Sequence, residues 1–75
     1  MRDPLKASPY ETNRAEFVGL TLKTAKKQIR AAKLDPCVVW VDGKWDSTPI
    51  ISILCPNEVN LVVKDGVVQR AYQVL

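Results

Sequence analysis

The dipeptide Asp65-Gly66 constrains this chain more than any other two residues. It separates two alternating runs, VNLVVK (59–64) and VVQRAYQV (67–74). An Asp-Gly pair between such runs is a strong short-range signal for a β-hairpin. Side chains alternate along a strand, so Val59, Leu61 and Val63 face one way and Asn60, Val62 and Lys64 the other. Asp42-Gly43 marks a second turn. It follows CVVWV (37–41), which is β-branched and aromatic and apolar on both faces, as a central strand is.

The helix signal lies upstream. In TLKTAKKQIRAAKL (21–34), Leu22, Ala25, Ile29 and Ala32 recur at helical spacing and form one apolar stripe. Thr21 is placed to cap the first turn with its hydroxyl. Asp35-Pro36 ends the helix, because proline disfavours helical geometry in the residue before it. Leu22, Ala25, Ile29, Val39, Val41, Leu61 and Val63 are expected to share one core. Trp40 reads as a core residue, while Trp45, after a turn, carries no clear assignment. Residues 1–14 show no apolar period and are broken by Pro4 and Pro9. They read as a flexible tail ahead of a single domain over 15–75.

Several chemistries are excluded by what is missing. The 75 residues contain no histidine, so no histidine-based triad or metal site can form. None of the three glycines is clustered as a phosphate loop requires. A chain this short buries only roughly 60% of its unfolded surface, leaving little room for a deep active site. No enzyme activity, metal or cofactor is expected. No stretch approaches the roughly 18–20 apolar residues of a membrane span, so no membrane partner is expected. MRDPLKASPYETNR has no apolar run of a secretory signal, which inclines the reading to the cytoplasm while leaving the compartment open. Cys37 and Cys55 could pair in an oxidising compartment, and without a signal sequence two thiols are the preferred reading. Lys23, Lys26, Lys27, Arg30 and Lys33 lie on the helix with no acid among them. No aromatic stacking row or arginine-rich pattern accompanies them, so they read as a solvated face and argue against nucleic acid.

The segment DGKWDSTPIISILCPNE (42–58) is long for a connection in so small a domain, and such loops are usually functional or disordered. Ile50, Ile51, Ile53 and Leu54 make it too apolar for disorder. It is either a further strand at 50–54, buried in the sheet, or an exposed segment offered to a partner.

Two stretches carry a family resemblance. EFVGLTLKTAKKQI (16–29) resembles the lead and helix of the potato inhibitor I family, the eglin and barley chymotrypsin inhibitor type, on Glu16 to Gly19 and Ala25 to Lys27. PNEVNLVVKDGVV (56–68) resembles the end of the same family on Pro56, Asn57, Val59, Asn60, Val63, Gly66 and Val68. The resemblance implies an α+β fold, with one helix packed on a small mixed β-sheet and a long exposed loop between two strands. It implies a serine protease inhibitor that presents an extended reactive loop, residues 46–56, to the protease cleft. By the family's spacing the scissile bond falls near Ser52-Ile53, and the reactive residues are Ile50, Ile51, Ser52, Ile53 and Leu54. Glu58 and Asn60 stand where the family has its loop-bracing arginines. Ile53 replaces an acidic residue, Cys55 a further arginine, and Arg14 the tryptophan ahead of the helix. A subtilisin- or elastase-like protease is the expected partner. The alternative is a non-inhibitory interaction module whose apolar loop binds another protein or a second copy, forming a homodimer.

Overall fold

The computed structural model describes residues 5–7, 9–51 and 53–74. Its elements, in chain order, are β1 (Glu11–Asn13), a short 3-10 turn (Ala15–Phe17), α1 (Leu22–Ala31), β2 (Asp35–Val41), β3 (Lys44–Trp45), β4 (Glu58–Lys64) and β5 (Val67–Val74). The strands form one five-stranded mixed sheet in the order β1-β5-β4-β2-β3. Only β2 and β4 run parallel; the other neighbours are antiparallel. The α+β arrangement expected from the sequence is what forms.

Both Asp-Gly pairs make two-residue hairpin turns. Asp42 and Gly43 have φ of 46° and 94°, and Asp65 and Gly66 have 53° and 74°. Positive φ at both central residues is the type I′ requirement, and its twist matches that of the flanking strands. Because β2 and β4 are parallel, the two turns lie at the same end of the sheet. There the Asp42 Oδ1 accepts the Asp65 N–H at 2.7 Å, tying one turn to the other.

Thr21 caps α1, its hydroxyl accepting the Thr24 N–H at 3.3 Å. The helix stops at Ala31, short of the expected Leu34. Lys33 adopts φ 63°, the Leu34 N–H donates to the Ile29 carbonyl at 3.0 Å, and the Lys33 N–H donates to the Arg30 carbonyl at 2.9 Å. This is a Schellman ending with lysine in the position that glycine usually fills. The helix has already closed before Pro36, which sits inside β2 opposite Val59.

The core has two layers, which corrects the expectation of one. Ala25 and Ile29 of α1 are buried with Phe17, Val59, Leu61, Val63, Val68 and Ala71 on one face of the sheet, and Leu22 packs at the margin. Val39 lies across the sheet with Val62 and Tyr72, against Cys37, Trp40 and Val74. Val41 is only half-buried. The cause is the β2–β4 register. Val38 pairs with Leu61 on the helix-side face, so Val39 alternates onto the other face with Cys37, and the shift that follows, with Trp40 opposite Val62, brings Trp40 there too.

The tail reading also needs correction. Residues 11–13 form an edge strand on β5, with Glu11 opposite Val74 and Asn13 opposite Tyr72. Glu11 is ion-paired with Arg70, both side chains being largely buried, and the Arg70 guanidinium stacks over Tyr72 at 4.2 Å.

Two substitutions test this packing by chemical denaturation. Ile29→Ala should destabilise by about 2–5 kcal/mol, the range for emptying a fully buried aliphatic site. Lys33→Gly should stabilise by about 1 kcal/mol, since a left-handed conformation costs a non-glycine residue roughly that much.

Candidate functional site

The connection from β2 to β4 is a return path that the parallel pairing demands. Parallel neighbours cannot be joined by a tight turn. The chain turns at Asp42-Gly43, runs through β3 on the sheet edge, and then crosses back over residues 46–57. Its first part is sewn to the edge of β2. The Asp46 and Ser47 N–H groups both donate to the Val39 carbonyl, and the Ser47 hydroxyl donates to the Val38 carbonyl at 3.0 Å.

Asn60 holds the middle. It is fully buried on β4, and its side chain grips the main chain of Ile50 at both ends. The Asn60 Oδ1 accepts the Ile50 N–H at 2.9 Å, and its Nδ2 donates to the Ile50 carbonyl at 3.0 Å. One residue on, Ile51 makes an isolated parallel bridge with Val74 of β5. The far side is held by Gln73, also buried, whose Nε2 donates to the Pro56 carbonyl at 2.7 Å. The Oε1 of the same amide accepts from Arg14.

Between the two clamps the tip stands clear. Ile53 is 84% exposed, Leu54 76% and Ile51 41%. The segment is not a strand at 50–54, and it is not extended throughout. The Leu54 and Cys55 N–H groups both donate to the Ile51 carbonyl at 3.0 Å, folding 51–55 into a turn. A second main-chain bond, Glu58 N–H to the Cys55 carbonyl, closes the exit.

The sequence-derived site residues therefore fall as follows. Ile50, Ile51, Ile53 and Leu54 are in one loop, with Ile50 the gripped residue and Ile53 and Leu54 the exposed pair. Ser52 lies outside the described residues. Of the two expected braces, Asn60 acts through its side chain, whereas the bond from Glu58 to the loop is made by its main chain. Cys37 and Cys55 are free thiols, and the Cys37 sulfur lies 3.7 Å from the Ser47 hydroxyl. No group of metal-binding side chains occurs among the described residues, and no helix among them is long and apolar enough to cross a membrane.

Arg14 and Gln73 were not among the expected site residues. Gln73 left no trace in the sequence, because strict alternation groups it with Gln69 and Ala71, and only the register shift between β4 and β5 brings Val68 and Ala71 into one cluster.

Removing the Asn60 grip gives a direct check. Asn60→Ala leaves both main-chain groups of Ile50 without their protein partner, and should destabilise by about 1–3 kcal/mol. Hydrogen exchange at the Ile50 amide should accelerate beyond what that global loss accounts for.

No family model, curated protein or solved structure matches the chain.

Proposed function

We propose that this protein is a small serine protease inhibitor whose reactive segment lies within residues 50–54. One observation carries the reading: an exposed aliphatic tip is held between two side-chain clamps, Asn60 on Ile50 and Gln73 on Pro56, both rooted in buried sheet positions. Ile53 and Leu54, 84% and 76% exposed, contribute little packing to their own fold. Clamping it lowers the entropy lost on docking and keeps cut ends together if the protease cleaves. The segment motifs shared with the potato inhibitor I family support the same reading. Proteases take such segments by strand-like main-chain bonds, with one side chain in the specificity pocket. Aliphatic or small side chains suit subtilisin- and elastase-like pockets. Trypsin-like pockets, built around a carboxylate, have nothing here to receive.

The turn at 51–55 favours a second reading. It presents Ile53 and Leu54 as a compact knob, which suits a hydrophobic groove on a non-protease partner or on a second copy. To enter a protease cleft the Ile51 carbonyl must release both of its donors, which weakens inhibition relative to a loop already extended.

Steady-state inhibition of subtilisin, elastase, chymotrypsin and trypsin, with mass spectrometry of the chain, decides between them. The inhibitor reading expects slow cleavage at one bond between residues 49 and 55 while subtilisin or elastase stays occupied, with trypsin unaffected. Rapid cleavage at several bonds, or no inhibition at high micromolar protein, overturns it and leaves the interaction module. In that event Ile53→Asp should abolish partner binding or self-association without unfolding the chain, since its side chain lies almost wholly in solvent.

A further inference from the structure

We propose that Arg14 is a positioning residue for the loop and that docking of the N-terminal strand sets how firmly the loop is held. Arg14 makes no bond to the described residues of the loop; it acts through the orientation of one amide. Gln73 is 6% exposed, so its side chain must find partners inside the protein. The Arg14 Nε and Nη2 both donate to its Oε1, at 2.8 and 2.5 Å. A guanidinium is donor-only, so it accepts no amide hydrogen. The Gln73 amide is therefore locked with its oxygen toward Arg14 and its Nε2 toward the Pro56 carbonyl, 2.7 Å away. The charge on Arg14 also polarises the amide and strengthens the outgoing donor. With Arg14 gone, the amide keeps only the Pro56 carbonyl to orient it and loses the charge that strengthened its donor.

A second link joins the same two segments. Val74 pairs with Glu11 of β1 and bridges Ile51 of the loop. The last two described residues of β5 thus serve both the N-terminal strand and the loop, one by its side chain and one by its main chain. Arg14 is itself seated by its N–H, which donates to the Ala71 carbonyl at 2.7 Å. The Glu11–Arg70 ion pair and the bond from Arg70 to the Lys6 carbonyl hold the strand that delivers it. Anything that lifts β1 from β5 withdraws Arg14 and loosens the exit of the loop.

The coupling goes beyond the inhibitor reading, because it concerns loop order whatever the loop meets. Hydrogen exchange of the full chain reads it directly, at the Leu54, Cys55 and Glu58 amides, against Leu61 and Val62 as core references. Two substitutions separate the parts of the relay. Arg14→Met keeps the length of the side chain but removes its donors. Gln73→Glu keeps an acceptor for Arg14 and removes the donor to Pro56, so β1 stays docked while the loop loses its clamp. Each should speed loop exchange about tenfold relative to the core references, the scale of a lost charge-assisted or buried hydrogen bond. In Gln73→Glu the amides of β1 should remain as protected as in the parent chain. Loop exchange within twofold of the parent in Arg14→Met, with the chain folded, overturns the proposal. Should Arg14→Met not fold, unchanged loop exchange in Gln73→Glu overturns it equally. Protease inhibition enters neither readout, so its failure leaves this result intact.

Discussion

Parallel pairing of β2 with β4 is the constraint from which the rest of this molecule follows. Two parallel neighbours oblige the chain to travel the length of the sheet between them. Most small folds use a helix for that journey. Here α1 has already been spent ahead of β2, and the return is made by a hairpin and a loop. Beyond β3 that return has no regular hydrogen-bond ladder, so its main chain must be satisfied by others. Asn60 and Gln73 are those others. The same pairing puts the two Asp-Gly turns side by side, where one aspartate completes the other turn.

Much of this was legible because it is local. Two-residue turns, an apolar stripe at helical spacing and a capping threonine depend on neighbours within a few positions, and each stands where the sequence puts it except at the end of the stripe, where Ala32 is an exposed C-cap. What could not be read depends on distance or on a single inserted residue. Val39 has the composition of a core strand residue, but the pairing of Val38 with Leu61 sets it on the second layer. Glu11–Asn13 have no period to detect, since three residues are too few, and their partners are at the other end of the chain. Lys33 took a conformation that sequence would assign to glycine, so the helix ended early.

The candidate site shows the same division. The aliphatic cluster at 50–54 was evident from composition, and Asn60 was singled out because it occupies a bracing position in the family the chain resembles. The turn at 51–55 was not evident, because it is closed by main-chain bonds that any residue types could make. The family's arginine braces are absent from β4, and a cation nonetheless serves the loop. It comes from the opposite end of the chain and works through a glutamine. Bracing here is therefore shared between Asn60 on the strand that follows the loop and Gln73 on its neighbour β5.

Placing β1 against β5 has a kinetic consequence. The partners Arg14 and Gln73 are 59 residues apart, and contacts of such separation are slow to form because the intervening chain must be ordered first. During synthesis the N-terminal strand waits for nearly the whole domain to emerge. The loop is made before β5, so it exists for a time with neither Gln73 nor Val74 to hold it. A molecule whose β5 has not docked thus has Asn60 on its loop but neither Gln73 nor Val74. Proteolytic sensitivity at residues 51–55 then reports whether the final strand has docked, which makes the loop an internal gauge of its own maturation.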